Sequence, residues 1–183
     1  NPTVKFNVFN GMTPAIVEGV RSDAYDVGFC SMSEGETDLC FTPILSQEYT
    51  TIVNKKHPLA SLAGQPMKLE DLEPYEILTY PENSPVGRII KKELRKHNLK
   101  ATHYGYDETT IGGYAAINQV VAIVADTPLL KQFDNLVHLK VELEAEARLV
   151  YMVYHRNNYL TPAVKNYIQH VLDKGPGFSG VPT

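Results

Sequence analysis

The groups in this 183-residue chain best suited to chemistry are hydroxyls, amides and phenols placed where strand-like runs give way to helix-like ones. Asn10 and Thr13, Ser31, Thr79 with Tyr80 and Ser84, and Tyr106 with Asp107 and Thr110 all occupy such positions. Open α/β sheets hold ligands at the carboxyl ends of their strands. A hydroxyl beside a helix N-terminus suits a carboxylate, sulfate or phosphate, because unpaired backbone N–H groups and the helix dipole point the same way. Taken singly, each residue reads more readily as a helix cap, so only convergence of several makes a site.

Other chemistries find less support. The six histidines, His57, His97, His103, His138, His155 and His170, show neither HExxH nor paired-Cys spacing, so no metal is expected. No GxSxG elbow, Walker loop or GxGxxG turn is present. Acids spaced by two, Glu34, Glu36 and Asp38 or Glu142, Glu144 and Glu146, read as solvated turns or edges rather than acid/base pairs. No catalytic residue and no cofactor is expected, and binding is favoured over catalysis. Cys30 and Cys40 read as two reduced thiols in a cytoplasmic protein, a redox-sensing pair being the alternative.

The elements that must position these groups follow from periodicity. Thr3–Phe9 alternates as a strand, and Thr13-Pro14 then opens a helix carrying Ile16, Val17 and Val20. The same Ser/Thr-Pro signature recurs at Ser84-Pro85, Thr127-Pro128 and Thr161-Pro162: the hydroxyl can cap a backbone N–H, and proline in the first turn sacrifices no hydrogen bond. Strands are expected at 25–30, 39–44, 49–54, 76–80, 102–106, 120–125, 136–140 and 148–155. Helices are expected at 107–118, 127–133 and 161–172 as well as after Ser84. This alternation predicts mostly parallel sheets covered by helices. Residues 175–183, rich in Gly and Pro, read as a tail.

Composition is that of a globular protein, 43% hydrophobic and 21% charged. A formal charge of −4 argues against this piece gripping nucleic acid itself, since phosphate contacts need a basic face. Arg88, Lys91, Lys92, Arg95 and Lys96, opposite the apolar Val86, Ile89, Ile90 and Leu94, read as the solvated face of one helix. Apolar runs such as 120–125 are too short to span a bilayer, and no membrane partner is expected.

Five segments, in order, resemble the effector-binding domain of LysR-type transcription regulators. They are Asn1-Pro2-Thr3-Val4, Arg21–Cys30, His57-Pro58-Leu59-Ala60 after the strand 51–54, Leu69-Glu70-Asp71-Leu72, and Thr161-Pro162-Ala163-Val164. The resemblance implies a periplasmic-binding-protein-like (type II) α/β fold, with two α/β lobes joined by two crossing strands and an effector between the lobes. The strands 49–54 and 148–155 would cross. Residues 1–50 and 154–175 would form the first lobe and 51–153 the second, followed by the tail 176–183.

The same resemblance implies a small polar or anionic effector, a homodimer that is a tetramer in the full-length protein, and DNA contact only through an N-terminal winged helix-turn-helix absent from this chain. Two positions depart from the family's pattern. Asn118 and Val120 replace a Gly-x-Gly turn, and the family's first strand and helix would precede Asn1. A solute receptor of a transport system with the same fold is the runner-up, and an enzyme on the same scaffold is a third class.

Overall fold

An apolar or alternating run becomes a strand only where another strand lies alongside to complete its backbone hydrogen bonds. The computed structural model describes residues 4–174. In chain order it contains α1 (Thr13–Arg21), β1 (Gly28–Cys30), β2 (Leu39–Gln47), β3 (Tyr49–Asn54), β4 (Pro66–Met67), β5 (Ile77–Thr79), α2 (Pro85–Lys96), β6 (Ala101–His103), α3 (Glu108–Ile117), β7 (Val121–Ala125), β8 (Leu136–Val141), β9 (Arg148–His155) and α4 (Pro162–Lys174). Short 3-10 turns occupy Pro58–Leu62, Leu69–Leu72 and Pro128–Gln132. The chain divides into two compact units, one running to Ser46 and resuming at Leu149, the other Gln47–Arg148.

The first unit is built on a three-stranded sheet ordered β1-β9-β2, with β1 antiparallel to β9. Val17 and Val20 of α1 pack with Cys30, Leu39 and Val153 as its core. The strand expected at 3–9 is not formed over its described part. Residues 4–10 have no strand conformation, and Phe6 and Val8 are 64% and 83% exposed. Alternation there meets no partner, because among the described residues no strand pairs with it. The α1 start is also shifted: Met12 is the N-cap and Thr13 already helical, so the Thr13 hydroxyl makes no capping bond. The proposed tail 175–183 lies outside the described residues.

The second unit is built on a six-stranded sheet ordered β4-β8-β3-β7-β5-β6. Here the expectation of mostly parallel sheets needs correction, because β3 runs antiparallel to both β7 and β8. Parallel pairing follows helix crossovers. The strands β5, β6 and β7, linked through α2 and α3, are parallel as that rule requires. β3 is inserted between β7 and β8, strands that follow it much later in the chain, and runs opposite to both, so the sheet is mixed. All five residues of β7 are buried, which explains why this central strand is an unbroken apolar run.

Ser84 caps α2 by accepting from Gly87 N at 3.0 Å, and its own hydroxyl donates to the Pro81 carbonyl at 2.8 Å. Val86, Ile90 and Leu94 are buried, while Arg88, Lys92, Arg95 and Lys96 are exposed, so the basic face is solvated. A Cβ on Gly87 would sit 2.1 Å from the Pro81 carbonyl oxygen, so the tight Pro81–Gly87 turn admits only glycine there. His57 likewise caps its 3-10 turn, Nδ1 accepting from Leu59 N at 3.2 Å. Leu59 beneath it joins the core of the unit.

Candidate carboxylate-binding site

Three parallel strands, β7, β5 and β6, end together at one edge of the second unit's sheet, and α2 and α3 begin just beyond them. That edge carries six of the nine candidate residues. Thr79 is fully buried and donates to the Ile123 carbonyl at 2.8 Å, so its hydroxyl ties β5 to β7. Ser84 is engaged in the α2 cap. Asp107 caps α3, with Oδ1 accepting from Thr110 N at 2.8 Å and Oδ2 from Thr110 Oγ1 at 2.9 Å. Tyr106 is 56% exposed at the same edge.

Tyr80 is the hub of this edge. Its hydroxyl donates to Glu108 Oε1 at 2.6 Å and accepts from Ala125 N at 2.9 Å, joining the ends of β5 and β7 to the first turn of α3. Burial, reinforced by the Glu108 charge, pushes the phenol far above its usual range, so it remains a neutral donor.

Sequence reasoning passed over a second group at this edge. Tyr49, the Cα partner of Ala125, has a buried hydroxyl without a hydrogen-bond partner, and so does Thr127, two residues past Ala125. Arg148 Nε is buried and unpartnered in the same way. The guanidinium reaches Gln47 Oε1 from Nη1 at 3.3 Å, and Gln47 Nε2 donates to the Asp126 carbonyl at 3.4 Å. Burial pushes the Tyr49 phenol up to about 12, and the Arg148 charge opposes that rise. Each unpartnered buried donor costs about 1–3 kcal/mol. The only signal in the sequence was an arginine opening the β-forming run 148–155.

In the first unit, Asn10 is exposed before α1, Thr13 is half-buried in its first turn, and Ser31 is buried just after β1. Cys30 and Cys40 lie on β1 and β2, with β9 between them. Two strand spacings amount to about 9–10 Å, beyond the ~7 Å Cα separation a disulfide tolerates, so the two thiols cannot bridge in this fold. Among the described residues no group of three or more His, Cys, Asp or Glu is placed to hold a metal ion. No helix among them is long and apolar enough to cross a membrane. A shallow groove of about 530 Å³ beside the 3-10 turns, lined by Leu59, Met67, Glu70 and Pro74 among others, contains none of the candidate residues.

The model of the LysR substrate binding domain matches residues 1–176. Among solved structures, the chain is similar to the effector binding domain of QuiR in complex with shikimate, at 24% identity and a TM-score of 0.77, covering 91% of this chain and 79% of that one. It is similar to the BenM effector binding domain with its effector benzoate, at 16% identity and a TM-score of 0.71, covering 100% and 86%. It is also similar to CbnR, a LysR family transcriptional regulator, at 14% identity and a TM-score of 0.75, covering 96% of this chain and 61% of that one. No curated protein matches. With its mixed α/β units and a family match along nearly its whole length, the chain belongs to the LysR substrate binding domain family and has its periplasmic-binding-protein-like type II fold.

Proposed function

We propose that this chain is the effector-sensing part of a LysR-type DNA-binding transcription regulator, a binding module rather than an enzyme. It takes a small polar or anionic metabolite, pairs as a homodimer, and acts on DNA through a separate N-terminal winged helix-turn-helix. The observation that carries the reading is the family match over residues 1–176. Support comes from similar domains solved with shikimate, benzoate and 2-PG. Thr13 and Ser31 in the first unit, and Thr79, Ser84 and Thr110 in the second, are proposed hydrogen-bond partners of the ligand, with Asn10, Tyr80, Tyr106 and Asp107 beside them. The ligand regulates only if it binds one conformation more tightly than another.

The test is calorimetric titration of the protein with a panel of small metabolites, acidic and neutral, that includes shikimate, benzoate and 2-PG. Saturable binding of at least one member is the expected result. Heats indistinguishable from dilution across the whole panel sink the sensing reading.

A further inference from the structure

Arg148 opens β9 and is the last residue of the second unit. A guanidinium carries five N–H donors in a planar fork that matches a carboxylate through two parallel bonds. Among the described residues a single donor is engaged, Nη1 to Gln47 at 3.3 Å, and Nε is buried without a partner there. Among the described residues no carboxylate lies within ion-pair distance of Arg148. A partly buried cation left without a counter-charge is unfavourable unless an anion completes it.

The surroundings supply the rest of an anion site. Tyr49 and Thr127 each present a buried, unpartnered hydroxyl, and hydroxyls can donate to a carboxylate oxygen. Gln47 links Arg148 to the Asp126 carbonyl, and Asp126 N in turn donates to the Glu48 carbonyl at 2.8 Å. Tyr49 opens β3 opposite Ala125, Thr127 follows β7 two residues later, and Gln47 ties Arg148 to Asp126, which lies between Ala125 and Thr127 in the chain. Asp126 directly follows the last residue of β7, so the Arg148–Gln47 pair meets the strand-end edge described above.

We infer that Arg148, Tyr49 and Thr127 form a carboxylate-binding site in the second unit, with the Arg148 fork taking the two oxygens and the two hydroxyls donating to them. The inference rests on the small-molecule reading above and narrows its ligand to one bearing a carboxylate. A single cation balances a single negative charge, and the planar guanidinium matches the two oxygens of a carboxylate.

The experiment titrates wild type, Arg148→Gln, Arg148→Lys, Tyr49→Phe and Thr127→Val with acid and amide pairs, benzoate with benzamide and shikimate with its carboxamide. In wild type an acid is expected to bind at least about tenfold more tightly than its amide, a charge-assisted fork being worth more than a neutral bond. Arg148→Gln is expected to weaken the acid at least about tenfold and leave the amide unchanged, with Arg148→Lys between the two because it keeps the charge and loses the fork. The hydroxyl variants are expected to weaken the acid by about threefold each. Undiminished acid affinity in Arg148→Gln overturns the site and leaves the sensing reading intact, silence from these acids and amides alike in wild type overturns the site, and silence from the whole metabolite panel overturns the sensing reading as well. If circular dichroism shows Arg148→Gln unfolded, the near-isosteric Tyr49→Phe and Thr127→Val decide, and unchanged acid affinity in both overturns the site.

Discussion

The Arg148 guanidinium donates from Nη1 to Gln47 Oε1 at 3.3 Å, joining the last residue of the second unit to its first. Gln47→Ala removes this bond and the one to the Asp126 carbonyl. Both are long, and a loss of about 1 kcal/mol is expected. Urea unfolding measures it, and an unchanged midpoint and slope would show that neither bond contributes.

Gly87 is held by the approach of the Pro81 carbonyl, so Gly87→Ala must displace backbone rather than a flexible side chain. A loss of about 3 kcal/mol is expected, the upper part of the overpacking range. Ser84→Ala removes the cap from the same turn without a clash and is expected to cost about 1 kcal/mol. The ordering is the test: if the alanine at 84 proves the more damaging, the turn is not packed as described.

The parts of this fold legible in the sequence are those whose signal is local. Ser84-Pro85 followed by Val86, Ile89, Ile90 and Leu94 specified the start of α2, and the β-forming run from Arg148 to His155 is β9 with the same bounds. Residues 4–10 failed because alternation says which faces a strand would have and nothing about whether a neighbour exists. Pro66–Met67 was invisible, being two residues long and opened by a proline. The Arg148 group was missed for a different reason. Tyr49, Thr127 and Arg148 are far apart in sequence, and only the pairing of β3 with β7 and the Gln47 contact bring them together. Tyr80 was singled out at a strand end, but its bond to Glu108 was not legible, because only tertiary packing brings the first turn of α3 to that strand end.

Tyr80 is 2% exposed and its hydroxyl serves two groups at once. Tyr80→Phe keeps the ring and leaves the Ala125 N–H without its acceptor, so a loss of about 1–3 kcal/mol is expected. Amide hydrogen exchange locates the effect. Faster exchange at Ala125 is expected, and unchanged protection there would contradict the bond.

His97 and Glu70 form an ion pair at 2.6 Å, with Glu93 Oε1 3.6 Å from the other imidazole nitrogen. The hydrogen bond with Glu70 raises the His97 pKa above 6.5, and its counterpart lowers that of Glu70 below 4.5. The histidine contribution is therefore fully present below pH 6.5 and lost as pH rises through its folded pKa, while that of Glu70 is present above pH 4.5 and lost in stronger acid. Wild type should exceed His97→Gln in stability most clearly between pH 4.5 and 6.5 and converge with it in alkali. A pH-independent gap between the two in thermal melts would exclude the pairing.

His57 titrates in the opposite sense. It is 3% exposed, its Nδ1 accepts from Leu59 N, its Nε2 is buried without a partner, and its ring lies 4.8 Å from that of Tyr75. Burial lowers its pKa below 6.5, so the unfolded chain takes up the proton first and folding loses free energy as pH falls below that value. His57→Asn retains an acceptor for the cap and cannot titrate. Between pH 7 and pH 5 wild type should therefore lose stability relative to His57→Asn, the reverse of the trend against His97→Gln. The two variants separate groups whose opposing slopes would partly cancel in the wild-type profile. Parallel pH profiles for wild type and His57→Asn would mean that the imidazole is solvated, and that its place beneath the 3-10 turn is not the buried one described.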